Sequence, residues 1–422
     1  MRAQAVALLL LAGAVACGPG RVVRHGEVND DLLARIRTGL TAARALAFLR
    51  PVPARLLDQA ALASVLAREI DLSYGPGDLE RLSAIYARLG LLPPGAALRP
   101  ALMRLYEGQV AALYDPRTKT LALVASALAP EGGLGLRLFE LLTGRDVVGE
   151  LLVAHELTHA LQDQHWGIPT EPEPLTDSHG DRLLARRALL EGDATLASFG
   201  YVERGPLDAG TLARIEEELH GMRGELQARY PDVPEVVRAS LALQYDEGTT
   251  FAGWALAAGG WSAVDRAEAD PPESTEQVLH PARYFGLRDH PVTIALGGTE
   301  ALEASGWKRV YEDTLGELDV RTLAFGRLPG AVAARVADGW GGDRLRALAR
   351  GDDLVLVWMT AWDSLADAGE FADAMPHVLP DARIERRQDR VLMLLGPAGG
   401  PDLPRLAARV WRESVVRRPG QR

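Results

Sequence analysis

Two histidines and a glutamate near the middle of the chain carry the clearest chemical pattern of the sequence. His155, Glu156 and His159 form the run His-Glu-Leu-Thr-His. On a helix, side chains at positions i and i+4 lie on the same face, so the two imidazoles can bind one metal ion. The glutamate between them lies close enough to accept a proton from a water molecule at that metal. The pattern therefore predicts a catalytic zinc (Zn²⁺) site on a helix.

A catalytic zinc ion takes three protein ligands and leaves one position for water. Glu191 is the favoured third ligand, because it lies on the next predicted helix and a connecting loop can bring that helix onto the metal. His165 is an alternative, since it follows His159 by six residues as in the pattern H-E-x-x-H-x-x-G-x-x-H. However, Gln162 replaces the glycine of that pattern, and on a continuous helix His165 is rotated by about 120° from His159. Two further alternatives lie in the intervening loop, Asp177 and His179.

Hydrophobic periodicity predicts the elements that position these residues. Apolar residues recur at helical spacing through residues 146–164, around the histidine pair, and again through residues 181–201, around Glu191. Before them, residues 109–114 and 120–124 form two short strand-like runs, and the Asp115-Pro116 pair between them suits a turn. We expect a β-hairpin there, followed by the two helices of the metal site.

The rest of the chain predicts an α+β protein. Residues 30–105 have helical periodicity, and further helices are expected over 207–229 and 233–257. Strands are expected at 354–360 and 391–395, with helices at 364–374, capped by Ser364, and at 403–415. Trp340-Gly-Gly-Asp-Arg344 is interpreted as a tight turn with a packed tryptophan, and Trp358 and Trp362 as core residues. These elements give an N-terminal helical region (17–105), a mainly helical domain around the predicted metal site (106–290) and a small α/β domain (291–422).

Composition excludes two classes of protein. The 422 residues carry a net charge of −11, whereas a general nucleic-acid binder has a basic excess, so no nucleic-acid partner is expected. With 47% hydrophobic and 24% charged residues, the chain has the composition of a globular protein and not of a disordered one.

The first residues are typical of an export signal. Met1-Arg2 is followed by an apolar run over residues 3–16 and then by Cys17, the single cysteine of the chain, so an intramolecular disulfide is excluded. Ala14-Val-Ala-Cys17 resembles the lipobox of bacterial lipoproteins, with Ala14 in place of the usual leucine. The resemblance implies a signal peptide over residues 1–16 and a lipidated Cys17, which would hold the mature chain on a membrane outside the cytoplasm. The alternative is a plain secretory signal.

The residues around the metal site resemble a known family. His155-Glu-Leu-Thr-His159 followed by Glu191-Gly-Asp-Ala194 is similar to the gluzincin zinc metallopeptidases of the MA clan, whose third ligand is a downstream glutamate. Bacterial lipoproteins of that clan also share Tyr114-Asp-Pro-Arg-Thr-Lys119 and Ser274-Thr-Glu-Gln-Val-Leu-His-Pro281. The resemblance covers residues 109–284. The chain departs from the compact members of the family in spacing, because Glu191 follows His159 by 32 residues.

The resemblance implies a membrane-anchored, extracytoplasmic peptidase with a peptide or protein substrate. His155, His159 and Glu191 would bind zinc, and Glu156 would be the general base. Asp193 could orient a ligand imidazole or serve as a surface or capping residue, and the predicted hairpin could hold a peptide by strand addition or be purely structural. Candidate donors to the developing oxyanion, chosen by side-chain type, are Tyr284, His280 and Tyr245. Two alternatives remain: a non-catalytic binding or scaffold lipoprotein, and a zinc hydrolase acting on another kind of bond.

Overall fold

A computed structural model describes residues 20–24, 26–107, 111–124, 145–205, 207–418 and 420. Helices dominate these residues, and the strands form small sheets, so the expected α+β class is confirmed. The signal peptide over 1–16 and the predicted lipidation site Cys17 lie outside the described residues. No helix in the described ranges is long and apolar enough to span a membrane.

The described helices share no single axis but pack in layers around the sheets. In chain order they are α1 (Asp30–Arg44), α2 (Gln59–Ser73), α3 (Asp78–Leu89), α4 (Leu98–Glu107), α5 (Val147–His165), α6 (Gly180–Glu203), α7 (Ala209–His220), α8 (Met222–Arg229), α9 (Glu235–Ala242), α10 (Gly248–Gly259), α11 (Trp261–Ala269), α12 (Thr275–Leu279), α13 (Ala282–Phe285), α14 (Glu300–Ala304), α15 (Gly316–Phe325), α16 (Gly330–Ala337), α17 (Leu365–Val378) and α18 (Leu403–Glu413). A 3₁₀ turn covers Leu175–Asp177, and a π-helical segment, Leu243–Glu247, joins α9 to α10.

The described strands form four sheets. They are β1 (Val23–Arg24), β2 (Glu27–Val28), β3 (Ala54–Leu57), β4 (Ala112–Asp115), β5 (Thr120–Val124), β6 (Thr293–Ala295), β7 (Lys308–Asp313), β8 (Trp340–Arg350), β9 (Asp353–Trp362), β10 (Arg383–Arg387), β11 (Arg390–Leu395) and β12 (Val415–Arg417). The sheet orders are β1-β2, β3-β5-β4, β10-β11-β9-β8-β7 and β12-β6.

The two helices that the periodicity predicts around the histidine pair and around Glu191 are present as α5 and α6. Asp146 caps α5 by accepting a hydrogen bond from the Gly149 N–H, which satisfies a free backbone donor at the helix start. The buried residues of α5 include the apolar side chains of Val153, Ala154 and Leu161 and also polar ones, Gln162 and Asp163 among them. Helix α1 packs against both α5 and α6 and closes this core.

The predicted hairpin is confirmed, with strands β4 and β5 antiparallel and Tyr114 opposite Leu121. Strand β3 pairs with β5 in parallel on the other side, so β4 is an edge strand of the three-stranded sheet. Helix α5 packs next to β4. The hairpin therefore places a strand edge beside the histidines.

The C-terminal sheet is antiparallel throughout and is covered on both faces. One face shares a core with α3, α15, α16 and α17, and the other packs under α18. The predicted strands at 354–360 and 391–395 are confirmed as parts of β9 and β11, and Ser364 caps α17 as predicted. Trp358 and Trp362 are fully buried core residues.

The prediction of a tight turn at residues 340–344 is wrong. These residues begin the long strand β8, which pairs with β7 and β9. Trp340 is fully buried as expected, but Gly342 lies within the strand, where an added Cβ would lie 2.4 Å from the Val292 carbonyl oxygen. The glycine therefore serves a close backbone approach and not a reversal of the chain.

Candidate metal centre

Three side chains on α5 and α6 bring their donor atoms together. Nε2 of His155 lies 3.2 Å from Nε2 of His159, as expected for two histidines one turn apart on a helix. Oε2 of Glu191, from α6, lies 3.0 Å from the first nitrogen and 3.5 Å from the second. Two nitrogens and one oxygen thus form a small triangle on the surfaces of α5 and α6 that face each other.

The size of this triangle suits a tetrahedral metal ion. Zinc binds histidine nitrogen and carboxylate oxygen at about 2.0–2.1 Å, so tetrahedral ligands are separated by roughly 3.3 Å. The three donor separations range from 3.0 to 3.5 Å and bracket that value. One ion can therefore contact all three atoms with little change in the side chains, which leaves a fourth position open.

The Glu191 carboxylate and the His159 imidazole shift each other's pKa. Burial by itself would lower the pKa of His159, but the Glu191 carboxylate outweighs it and raises the pKa to about 10. Burial likewise works to raise the pKa of Glu191, and the two imidazoles reverse this and lower it well below its ordinary value. The carboxylate thus stays ionised next to the histidines, which is the charge state that a metal ligand requires.

Glu156 projects into the same cluster, and its carboxylate lies within 4.8 Å of the imidazole nitrogens. Its Oε2 accepts a hydrogen bond of 2.7 Å from the backbone N–H of Tyr114 on the edge strand β4. Burial raises the pKa of Glu156, while the two histidines and the Tyr114 N–H act in the opposite direction. A raised pKa makes a carboxylate a stronger proton acceptor.

Tyr114 and Lys119 contact Asp163 near the C-terminal end of α5. The Tyr114 hydroxyl donates to Oδ2 of Asp163 at 2.7 Å, and Lys119 Nζ lies 2.8 Å from the same oxygen. Asp115 accepts hydrogen bonds from the turn residues Arg117 and Thr118, which fixes the hairpin turn. Residues 114–119 therefore hold strand β4 against the C-terminal part of α5.

A buried hydrogen-bond network holds the imidazole of His159 through its Nδ1 atom. Oε1 of Gln162 lies 2.8 Å from Nδ1 of His159, and the Gln162 amide nitrogen donates to the Leu190 carbonyl and to Asp193. Asp193 in turn binds the guanidinium of Arg44 at 2.6 Å, and both side chains are completely buried. Metal-bound histidines are usually oriented by a hydrogen bond of this kind through their second nitrogen.

This network corrects the interpretations of Asp193. Asp193 neither lies on the surface nor caps a helix. It does not contact an imidazole directly but acts through Gln162. Sequence reasoning missed Arg44 and Gln162. A signal for each was present: Gln162 lies one turn after His159 on the same helix face, and Arg44 continues the buried spacing of Ile36 and Leu40 on α1.

Tyr245 reaches the site from the π-helical segment between α9 and α10. Its ring stacks on His155 with 5.9 Å between ring centroids, and the carboxylates of Glu191 and Glu156 act on its hydroxyl. Burial and the nearby carboxylates raise the pKa of Tyr245 well above its ordinary value, so the hydroxyl keeps its proton. Single π-helical turns often occur at functional sites.

Close packing of α6 against α10 positions Tyr245. A Cβ added to Gly192 would lie 2.0 Å from the Gly248 carbonyl oxygen, and one added to Gly248 would lie 2.2 Å from the Ala188 carbonyl oxygen. Helices α6 and α10 thus touch backbone to backbone directly after the π-helical segment. The glycine of Glu191-Gly192 is needed for this contact, which sets Tyr245 beside Glu191.

Several candidate residues lie elsewhere. His165 hydrogen-bonds to the Ala47 carbonyl at 2.8 Å. Asp177 pairs with Arg344, and His179 pairs with Glu173. The expectation of an oxyanion donor at Tyr284 or His280 is not supported by the geometry. The Tyr284 hydroxyl donates to the Asp270 carbonyl, and His280 pairs with Glu317 at 2.9 Å. Of the three candidates for this role, Tyr245 is the one in contact with the cluster.

The residues 274–281 that the resemblance singled out have structural contacts. Ser274 caps α12, and Thr275 donates two hydrogen bonds to Asp181 at the start of α6. Gln277 is fully buried and donates to the Asp289 carbonyl. This segment fastens α12 to the first turn of α6.

Comparison with known proteins gives one match. Residues 303–401 match a family described as a domain of unknown function, DUF8575. This range covers β7 to β11 of the C-terminal sheet and excludes the metal cluster. Searches of curated proteins and of solved structures found no match.

Proposed function

We propose that the chain is a zinc metallopeptidase of gluzincin type, with α5 and α6 as its zincin-like core. The observation that carries the proposal is the triangle of donor atoms of His155, His159 and Glu191, whose sides match the separations of tetrahedral zinc ligands. Glu156 strengthens it, because a structural metal site is closed by four ligands and has no need of a further, half-buried carboxylate beside the histidines.

His155, His159 and Glu191 would hold the metal, with Gln162 orienting His159. A zinc ion bound there would polarise the substrate carbonyl and make water nucleophilic near neutral pH. Glu156 would accept a proton from the attacking water and pass it to the amine nitrogen as the C–N bond breaks. Tyr245 would donate its hydroxyl hydrogen to the carbonyl oxygen as negative charge develops there.

The edge of β4 would hold the substrate. The Tyr114 N–H points away from β5 and towards Glu156, so the unpaired edge of the strand faces the cluster. An extended peptide can bind such an edge by main-chain hydrogen bonds, which places its backbone carbonyls alongside the catalytic groups. Binding along the edge of β4 would favour a peptide or protein substrate over other hydrolysable molecules.

The deciding experiment measures zinc content and peptide hydrolysis in the purified chain and in three variants. We expect about one zinc per wild-type chain, retention of zinc in Glu156→Gln with loss of hydrolysis, and loss of zinc in Glu191→Ala. The matched control is His165→Ala, which should keep both properties because His165 lies outside the cluster.

The possible failures have different meanings. Absence of zinc from folded wild-type protein, even with zinc supplied, would refute the metal site. Bound zinc without hydrolysis of any peptide in a library would favour the non-catalytic binding lipoprotein, and hydrolysis that survives Glu156→Gln would refute the role of that residue.

We also propose that Cys17 carries the lipid that anchors the protein to a membrane on the extracytoplasmic side. The support is the lipobox-like sequence Ala14-Val-Ala-Cys17 after an apolar run. Labelling of cells with a radioactive fatty acid should mark the wild-type chain and not Cys17→Ser. Equal labelling of both would refute the anchor at this residue.

A further inference from the structure

A cavity of about 430 Å³ lies along the first half of α6. Its size falls within the range of small-molecule sites, about 300–1,000 Å³. Its lining on α6 extends from Asp181 to Leu190, the residue directly before Glu191. Ten residues of helix separate Asp181 from Glu191, which corresponds to about 15 Å. The cavity thus begins beside the metal cluster and ends at the N-terminal turn of α6.

The walls of the cavity are apolar over most of their length. Helices α3, α4 and α9 supply this surface with Leu82, Tyr86, Leu98, Leu102, Tyr106 and Leu241. Near the metal end, two guanidinium groups, Arg186 and Arg187, line the cavity. Four further charged residues line the cavity, Glu69, Arg117, Glu171 and Glu173, and of these Arg117 is paired with Glu69.

The far end carries three carboxylates, which we call the acidic end: Asp181, Asp313 and Asp319. Asp313 is satisfied, because it accepts hydrogen bonds from Gly180 N–H, Thr314 N–H and the Tyr311 hydroxyl. Asp181 is 3% exposed and uses Oδ1 for both hydrogen bonds of Thr275, whereas its buried Oδ2 has no partner.

Asp319 lines the cavity from α15, and within the described part of the chain its carboxylate has neither a hydrogen-bond donor nor an ion-pair partner. The charged groups that act on it are the carboxylates of Asp181, Asp313 and Asp343, so its pKa is raised well above the ordinary value. No lysine or arginine of the described ranges pairs with the acidic end. Buried carboxylates without a cation are costly, and an incoming positive charge would relieve that cost.

We propose that this cavity binds an organic cation, an ammonium or guanidinium group on an apolar stem, with the cation at the acidic end and the stem along the apolar walls. A bare metal ion fits less well, because Ca²⁺ takes six to eight oxygen ligands and the acidic end offers few free oxygens. The cation could belong to a basic peptide, for which about four extended residues span the 15 Å to Glu191, or to a free amine. The binding site itself is independent of the proposed hydrolysis, and only the peptide source rests on it.

The test is calorimetric titration of the purified full-length chain with n-hexylamine, and with 1-hexanol as the neutral control of equal length. We expect the amine to bind at least about ten-fold more tightly than the alcohol, and Asp319→Asn to remove this difference. Asp381→Asn, at an exposed position, is the matched control and should behave as wild type. Leu102→Trp fills the cavity while keeping every carboxylate, and should exclude the amine.

Equal affinities for amine and alcohol, or amine binding that is unchanged in both Asp319→Asn and Leu102→Trp, would overturn the proposal. Calcium binding that depends on Asp319, without amine binding, would replace the organic cation by an inorganic one and also overturn it.

The source of the cation is resolved with peptides that carry lysine or norleucine at each position in turn, titrated into Glu156→Gln. Tighter binding of one lysine peptide, lost on adding Asp319→Asn, assigns the site to a substrate. Binding of hexylamine without any such preference assigns it to a free amine. If the wild-type chain hydrolyses no peptide while hexylamine still binds, the proposed peptidase activity fails and the cation site stands.

Discussion

The side-chain oxygen of Gln162 lies 2.8 Å from Nδ1 of His159, and both residues are on α5. The rest of the Gln162 amide is held by the Leu190 carbonyl and by Asp193, so the imidazole cannot rotate without breaking a buried network. This fixes Nε2 of His159 towards Glu191. Gln162, which replaces the glycine of the pattern H-E-x-x-H-x-x-G-x-x-H, thus continues the helix and orients the imidazole of His159.

The first prediction concerns this amide. Replacing Gln162 by methionine keeps the volume and removes the hydrogen bonds, so we expect zinc affinity to fall by about 10–100-fold. Competition with a metal chelator of known affinity measures the change. Gln227→Met, at an exposed position on α8, is the control and should leave the affinity unaltered. An unchanged affinity in Gln162→Met would show that the amide has no orienting role.

The second prediction separates Tyr245 from Tyr284. Tyr245→Phe keeps the ring against His155 and removes the hydroxyl, so we expect kcat to fall by about 10²–10³-fold with the zinc content unchanged. Tyr284→Phe removes only a hydrogen bond to the Asp270 carbonyl and should retain full activity. Steady-state kinetics on one peptide decide the matter. Equal kinetics for the two variants would remove Tyr245 from the catalytic groups.

The third prediction tests the contact between α6 and α10. Gly192→Ala would set a Cβ 2.0 Å from the Gly248 carbonyl oxygen, and the backbone cannot yield without separating the helices. We expect the free energy of unfolding to fall by about 1–3 kcal/mol or more, together with weaker zinc binding. Gly224→Ala on α8 meets no atom within 4 Å and should be neutral or slightly stabilising. Urea denaturation of both variants provides the comparison.

Much of the fold follows from periodicity alone. Helices α5 and α6 and the β4–β5 hairpin agree with the predicted ranges within a few residues, because their apolar residues recur at helical or strand spacing and Asp146 caps the start of α5. Strand β8 was not predicted, because it is buried on both faces and yet contains two charged residues, Arg344 and Arg346. These arginines are paired with Glu312 on β7, and only the tertiary structure supplies that partner.

The candidate site was predicted in part, and the missing residues share one property. His155, Glu156, His159 and Glu191 were identified by type and spacing, and the structure brings them together. Arg44 and Gln162 were missed because their roles depend on contacts with Asp193 that only helix packing creates. Spacing marks both positions as buried but does not reveal this partner. Side-chain type alone could not separate Tyr245 from Tyr284 and His280, because type says nothing about position.

The last prediction concerns the pH dependence of stability. In the folded chain the pKa of Asp181 is raised from its ordinary value near 3.8 to about 7. Burial is the main cause, and the carboxylates of Asp343 and Asp313 add to it, while the hydrogen bonds from Thr275 oppose it. Because the folded pKa lies above the unfolded one, this group favours the folded state most below pH 4, and that contribution is lost as pH rises from about 4 through about 7.

The variant Asp181→Asn isolates this effect, since an amide oxygen can still accept both hydrogen bonds from Thr275 but the group cannot ionise. Relative to the variant, the wild-type chain should lose roughly 4 kcal/mol of unfolding free energy between pH 4 and pH 8. Urea denaturation at intervals of half a pH unit measures the difference, with Asp381→Asn as the exposed control. A difference between wild type and Asp181→Asn that does not change with pH would show that Asp181 titrates normally in the folded chain, with its charge compensated there.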